Sequence, residues 1–388
     1  MIATGEGSDE RAVARAYRLV WLALGLFVGG TALGLSWDRA WHATRPFESF
    51  WSPPHLLIYT VLGLTTLVVA HLAARRPLRG VLGLPLRVPA VPYPLPGALV
   101  LAGGGLATIW LGGALDSVWH TAFGLDETGW SLPHALLGHG LLLTYLGLVA
   151  ARLALRPRRP LGVGSAVVLA VLALWFGVGG LLGPLGHNPT VEWVRAAAAL
   201  PALAGQEPAQ HTFRIYEAWN LARSHPAFVP LAAFVVSAGL AVARGIVPGG
   251  WALVLVALLA SLLPLAGDYR AARFLGVAAT PAAWLPLPYV PAVLALLATQ
   301  ALGATAGLAW GAAGIVFGLC AAGIWGAPAA LALAAGPLFV GGEAAGRWAL
   351  GTLQAPRLGR ATILVVLLAV GLPLLSGALD LYLRAHTP

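Results

Sequence analysis

The chain has 388 residues, of which 59% are hydrophobic and 10% charged, a net charge of +9 and a mean hydropathy of +0.82. A soluble domain carries about 25% charged residues, so a soluble multidomain architecture is excluded; apolar runs of about 20 residues, enough to cross ~30 Å of hydrocarbon as a helix, recur instead. All 23 basic residues are arginine, set in short loops between apolar runs and not in a stripe with interleaved aromatics, which excludes a nucleic-acid binder and points to orientation in a membrane. The 49 Gly and 29 Pro fit transmembrane helices, which tolerate both. Cys320 is the only cysteine and the initiator the only methionine. A thiolate metal site within one chain is thereby excluded, and a thioether or thiol path for Cu(I) is not supported. Any metal must be held by imidazole and carboxylate.

The chain opens on a polar, acidic segment, MIATGEGSDE. It lacks the basic n-region of a cleaved signal peptide, so the first helix is expected to be its own membrane signal. Eleven spans are predicted, near 17–36, 54–74, 95–115, 133–155, 163–185, 226–246, 250–267, 286–303, 305–323, 325–343 and 361–383. The fold class is therefore all-α, a polytopic integral membrane helical bundle. Arginines sort the loops. Arg11, Arg15 and Arg18 precede the first span, and Arg75, Arg76, Arg79 and Arg87 follow the second. Arg152, Arg156, Arg158 and Arg159 follow the fourth, Arg244 the sixth, and Arg347, Arg357 and Arg360 the tenth. With eleven spans these positions share one side, which the positive-inside rule makes cytoplasmic, with the N-terminus there too. Loops 37–53, 116–132, 186–225 and 268–285 then face outward. The expected organisation is a cytoplasmic segment 1–16, a helical bundle 17–185, an outer loop or lid 186–225, and a C-terminal transmembrane bundle 226–388. The loop 186–225 mixes Glu192, Trp193, His211, Tyr216, Glu217, Trp219 and His225, a content suited to an interfacial helix, a lid or a headgroup-level connector.

Two outer loops repeat one text. The first reads Asp38-Arg39-Ala40-Trp41-His42 and then Trp51-Ser52-Pro53-Pro54-His55; the second reads Asp116-Ser117-Val118-Trp119-His120 and then Trp130-Ser131-Leu132-Pro133-His134. The copies differ by one residue of spacing. Asp and His four apart lie on one helix face, one turn above the other. Proline suits the first turn of a helix, so His55 and His134 should open the returning spans and fold back beside the acids. Each hairpin then gathers a carboxylate and two imidazoles near the membrane boundary, where an isolated carboxylate is costly. One Asp with two His is an open ligand set for a divalent metal. The alternative is structural: these side chains hydrogen-bond one another and the Trp indoles, and so hold the hairpins together.

The spacing Asp-x3-His-x12-His at Asp38, His42 and His55, the pair Trp41-His42, and the run from Trp51 through Pro53 and His55 to Tyr59 resemble the metal motif of a membrane subunit of the copper membrane monooxygenases, the particulate methane and ammonia monooxygenases. That family also has a second site of spacing x3 and x13, built from Asn and two His. Asp116, His120 and His134 match the spacing with Asp in place of Asn. The resemblance covers roughly residues 17–150. It implies copper at both sets on the outer face of a bacterial or archaeal plasma membrane, partner membrane subunits, and metal-centred oxidation of a small hydrophobic substrate. Zinc or iron suits the same ligands. A membrane zinc hydrolase acting on a lipid, with a metal-activated water, and a non-catalytic metal-binding or transport module remain alternatives.

His139 lies five residues after His134 and so points about 140° away on a helix, which favours packing or support of a ligand over direct co-ligation. His71 reads as an interfacial residue beside arginines. Asp268 and Arg270 are expected to pair at an outer boundary. His187, His211 and His225 fall in the long outer loop, where one can supply a further ligand. The Gly clusters at 103–105 and 341–342 follow no strand and precede no Lys, so they are not phosphate loops; close helix packing is expected of them.

Overall fold

The computed structural model describes residues 6–42, 50–89, 91–123, 131–182, 228–275, 288–325, 328–355 and 358–386. Helices cover most of the described residues. They are α1 (Glu6–His42), α2 (Pro53–Ala74), the short α3 (Arg76–Gly80), α4 (Gly97–Phe123), α5 (Leu132–Ala154), α6 (Val163–Leu182), α7 (Phe228–Ile246), α8 (Gly250–Leu275), α9 (Tyr289–Ala301), α10 (Ala306–Trp325), α11 (Ala330–Gln354), α12 (Leu358–Val366) and α13 (Leu372–His386). A two-stranded ribbon, β1 (Pro85–Leu86) against β2 (Leu95–Pro96), is antiparallel and lies between α3 and α4.

Among the described residues, seven helices are long and apolar enough to cross a membrane: α1, α2, α4, α5, α7, α10 and the last helix over Arg360–Tyr382. Val163–Gly177, Gly250–Leu262 and Tyr289–Ala301 are shorter apolar helices. At 1.5 Å per residue, α9 with its 13 residues is ~20 Å long, short of a ~30 Å hydrocarbon core. The remaining predicted span, α11, carries Glu343 and Arg347 in an ion pair of 2.9 Å one turn apart.

The chain divides into two units. The first contains residues 1–125, 131–161 and 351–380. It is built from two helical hairpins, α1–α2 and α4–α5, with the last helix returning from the end of the chain to pack on α4 and α5. The second contains 126–130, 162–350 and 381–388, with α6, α7, α8, α9 and α10 packed in a chain of neighbours. Among its described residues, α7 and α11 approach closely. A Cβ at Gly342 or Gly346 would collide with the Phe234 or Ala238 carbonyl oxygen of α7, and Ser237 Oγ donates to the Phe339 carbonyl. Gly342 thus serves close packing, as its cluster predicts.

The arginine-bearing end of the first unit is tied by cations. Arg152 is buried; its guanidinium sits 5.0 Å from the Tyr17 ring centroid and 5.8 Å from that of Trp21, and donates to the Pro160 carbonyl at 3.0 Å. This joins α1, around its fourth and fifth turns, to the end of α5. Arg158 pairs with Asp9 at 3.4 Å and Arg159 with Glu10, exposed contacts worth at most about 1 kcal/mol each. Arg79 donates to the Ala73 and Ala74 carbonyls at the end of α2 and lies over Tyr93 at 4.4 Å, as expected of a cation at a helix C-terminus. His71 stands at this boundary, its Nε2 3.4 Å from Arg15.

Between Val366 and Leu372 the last helix makes one π turn, Leu367–Gly371, in which the Leu372 N–H reaches the Leu367 carbonyl. Pro373 follows. Proline lacks an N–H and crowds the carbonyl four residues back; one extra residue in the turn accommodates both effects.

Glycines set the distance between paired helices. In α4–α5 a Cβ at Gly112 would lie 3.0 Å from the Pro133 carbonyl oxygen and 3.1 Å from Leu137 N, both backbone atoms that cannot move aside. Gly113, the next residue, has nothing within 4 Å. Gly112→Leu should therefore destabilise the protein in detergent by about 1–3 kcal/mol, the usual cost of overpacking, with Gly113→Leu near neutral. Thermal unfolding of the two variants checks this; equal melting temperatures would contradict it.

Candidate metal site

Helix α1 runs without a break through Asp38 to His42, so the two residues stand one turn apart on one face. After the loop, Ser52 takes the N-cap position with φ −57° and ψ 151°, and Pro53 and Pro54 fill the first helical positions, where a missing N–H costs nothing. His55 falls in the first turn of α2. Gly30 and Gly34 line the same α1 stripe as Asp38 at steps of four, and they face Val61 and Ile58 of α2 so closely that a Cβ at either would collide. His55 is the next position outward on α2. The stripe thus brings the acid onto the imidazole: Asp38 Oδ1 lies 3.0 Å from His55 Nε2, with both side chains 19% exposed. Phe50, Trp51 and Tyr59 form a ring cluster beside them, and the Tyr59 ring centroid is 5.9 Å from that of His55.

The second hairpin repeats the arrangement. Ser131 takes φ −55° and ψ 151°, within a few degrees of Ser52, and proline again stands in the first turn. On α4 the stripe Gly105, Ile109, Gly112 and Asp116 runs toward this end. Gly105 meets Thr144, Ile109 meets Gly140, and Gly112 meets Pro133 and Leu136 of α5. Asp116 Oδ1 then lies 3.7 Å from His134 Nδ1. That same nitrogen is 2.9 Å from Ser131 Oγ.

In each hairpin, then, the first acid and the last histidine of the predicted set are together. The side chains of the middle members, His42 and His120, lie outside the described residues. Among the described residues no group of three His, Cys, Asp or Glu is placed to hold a metal; the described part of each set is an Asp/His pair. His139 is buried and donates from Nδ1 to the Ala135 carbonyl at 2.7 Å, a packing role. His187, His211 and His225, the loop 186–225 and the side chains of Asp268 and Arg270 lie outside the described residues.

Each hairpin brings two described donors together, one short of the three that an open divalent site uses. Two ligands at ~2.1 Å from one metal stand about 3.0–3.4 Å apart for angles between right and tetrahedral. The Asp38–His55 separation of 3.0 Å falls in that interval, and the 3.7 Å of Asp116–His134 lies slightly beyond it. The contact that sequence reasoning did not reach is Ser131 with His134. Its signal was present: serine is matched in both copies, three residues before the histidine, where it can orient the imidazole ring.

The first pair also predicts an energetic signature. In chelator-treated protein, Asp38→Ala and His55→Ala should be non-additive in thermal unfolding, with a coupling of about 0.5–3 kcal/mol for residues in direct contact; additive losses would contradict the pairing. Searches against protein-family models, curated proteins and solved structures find no match to this chain.

Proposed function

We propose that the chain is a polytopic plasma-membrane protein of about eleven spans with its N-terminus in the cytoplasm, holding a divalent metal at the outer end of each Asp/His hairpin. Asp38, His42 and His55 form the first set, and Asp116, His120 and His134 the second. By resemblance to the copper membrane monooxygenases, the metal is copper and the work is oxidation of a small hydrophobic substrate together with partner membrane subunits.

One observation carries this reading. In two hairpins of different sequence, an acid on the outgoing helix closes on the histidine that opens the returning one, at 3.0 and 3.7 Å. A hairpin needs no such acid for its own stability, since its glycine stripes already fix the crossing. The carboxylate contributes charge opposite to that of the ion, and the imidazoles contribute neutral nitrogen donors. The Tyr59 ring lies beside His55, and Ser131 Oγ hydrogen-bonds His134 Nδ1, the nitrogen that faces Asp116, so metal binding there would displace the serine. Bound copper would supply one-electron redox chemistry at the coordination positions that three protein ligands leave open. Apolar substrate reaches such a site laterally, because the helices carrying it expose leucines such as Leu33, Leu56 and Leu111.

The orientation rests on the arginines. Those around the start of α1 and the ends of α2 and α5 belong to the end of the first unit opposite the Asp/His pairs, where Arg152, Arg158 and Arg159 tie α1 to α5. Elemental analysis of purified protein tests the metal reading. One ion for each hairpin is expected, and the double variant His42→Ala, His120→Ala should lose both. A metal content unchanged in that variant would contradict it.

A further inference from the structure

The cationic end of the first unit offers N–H donors that nothing accepts. Arg152 is 1% exposed. Its Nη2 donates to the Pro160 carbonyl, but Nε and Nη1 are buried and meet no acceptor among the described residues. Trp21 Nε1, on the ring that lies against this guanidinium, is in the same position, as is Nε of Arg159. Four donors are thus left unmet along the seam between α1 and α5, each at a cost in free energy. Charge is unbalanced too. Arg156 is near enough to repel Arg152. The acids of this end, Asp9 and Glu10, are taken by Arg158 and Arg159, and among the described residues no carboxylate pairs with Arg152, Arg156 or Arg18. A water molecule would accept hydrogen bonds and leave the charge uncompensated; an anion does both.

Depth and shape point to the kind of anion. Arg152 stands two residues before the end of α5, within a helix apolar enough to cross a membrane, and Tyr17 and Trp21 lie in the α1 span. Tyrosine and tryptophan favour the headgroup level of a bilayer. Trp21 is half-buried, and a headgroup reaches Arg152 past its ring. Beside it, Arg18, Leu22, Gly25, Gly29 and Leu33 of α1 are all exposed, and their steps of four, three, four and four place them on one helix face. A Cβ at Gly25 or Gly29 would meet nothing within 4 Å. The missing side chains leave a shallow apolar furrow that starts below Arg18. From Arg18 to Gly29 is ~16 Å along the axis, close to one leaflet's share of a ~30 Å hydrocarbon core.

We propose that this seam binds one anionic phospholipid, its phosphate accepting from Arg152 and Trp21, with Arg18 and Arg156 at the rim and an acyl chain in the furrow at Gly25 and Gly29. The furrow favours a lipid over free phosphate, which has nothing to place there. Three arginines without carboxylates favour an anionic headgroup over a zwitterionic one, which brings its own cation. The site is separate from the Asp/His pairs, at the opposite end of the unit.

Titration of the full chain, stripped of lipid in an uncharged detergent, with phosphatidylglycerol or phosphatidylcholine tests this, the bound lipid being counted by native mass spectrometry. The wild type should bind one phosphatidylglycerol roughly ten-fold or more tighter than phosphatidylcholine. Arg18→Gln and Arg156→Gln, both at exposed positions where folding is not at stake, should each weaken it roughly five-fold, the worth of one arginine near a lipid headgroup. Arg87→Gln, at another exposed arginine of this end, should leave it unchanged. Gly25→Leu, which fills the furrow, should weaken it as well. A wild type without preference between the two lipids would overturn the proposal. Equal losses in the Arg18, Arg156 and Arg87 variants would overturn it too, reducing the arginines to a diffuse positive surface. So would displacement of phosphatidylglycerol by an equal concentration of inorganic phosphate, since the seam would then hold a free anion.

Discussion

The close approach of paired helices at stripes of small residues is the constraint on which the outer end of this protein depends. Between helices in a bilayer the hydrophobic effect offers little, because lipid is as apolar as the helix surface; packing of small residues decides which faces meet. On α1 the stripe is Gly30 and Gly34, and on α4 it is Gly105 and Gly112. In each case the residue one turn further out is the acid. Once the glycines are in contact, Asp38 and Asp116 have no freedom to face elsewhere, and the histidine opening the returning helix meets them. The Asp/His pairs are therefore consequences of packing along the hairpin, and the prolines at the start of α2 and α5 fix where the return begins.

The two ends of the first unit divide the labour. One end is cationic and tied: Arg152 over Tyr17 and Trp21, Arg79 on the end of α2, and Asp9 and Glu10 reaching Arg158 and Arg159. The other end carries acids and imidazoles and is fringed by aromatics. A bilayer enforces such a division, since charge is tolerated at its boundaries and penalised between them. The last helix links the ends, starting among arginines at Arg360 and finishing with a buried Asp380.

Much of this was legible in the residues. Runs of apolar character placed the helices, because length and polarity alone determine what can be buried in hydrocarbon. The pairing of Asp38 with His55 and of Asp116 with His134 followed from helical periodicity plus proline at the return. The span count was less legible. Alanine- and glycine-rich sequence between 286 and 343 has no periodic contrast, and α9 is shorter than its apolar run suggested. Two features were not legible at all. The π turn depends on how Pro373 is accommodated in three dimensions, and hydropathy does not record it. The return of the last helix onto α4 and α5 is a long-range contact that no local pattern records. Resemblance reached only residues 17–150 and was silent there.

The central claim is that each hairpin brings its acid and its imidazoles onto one ion. Crystals of the full chain grown with zinc, with anomalous diffraction recorded on both sides of the zinc absorption edge, test it most directly. The account predicts two peaks, one bonded to Asp38 and His55 and the other to Asp116 and His134. Anomalous density elsewhere, or none beside these four side chains, would contradict it.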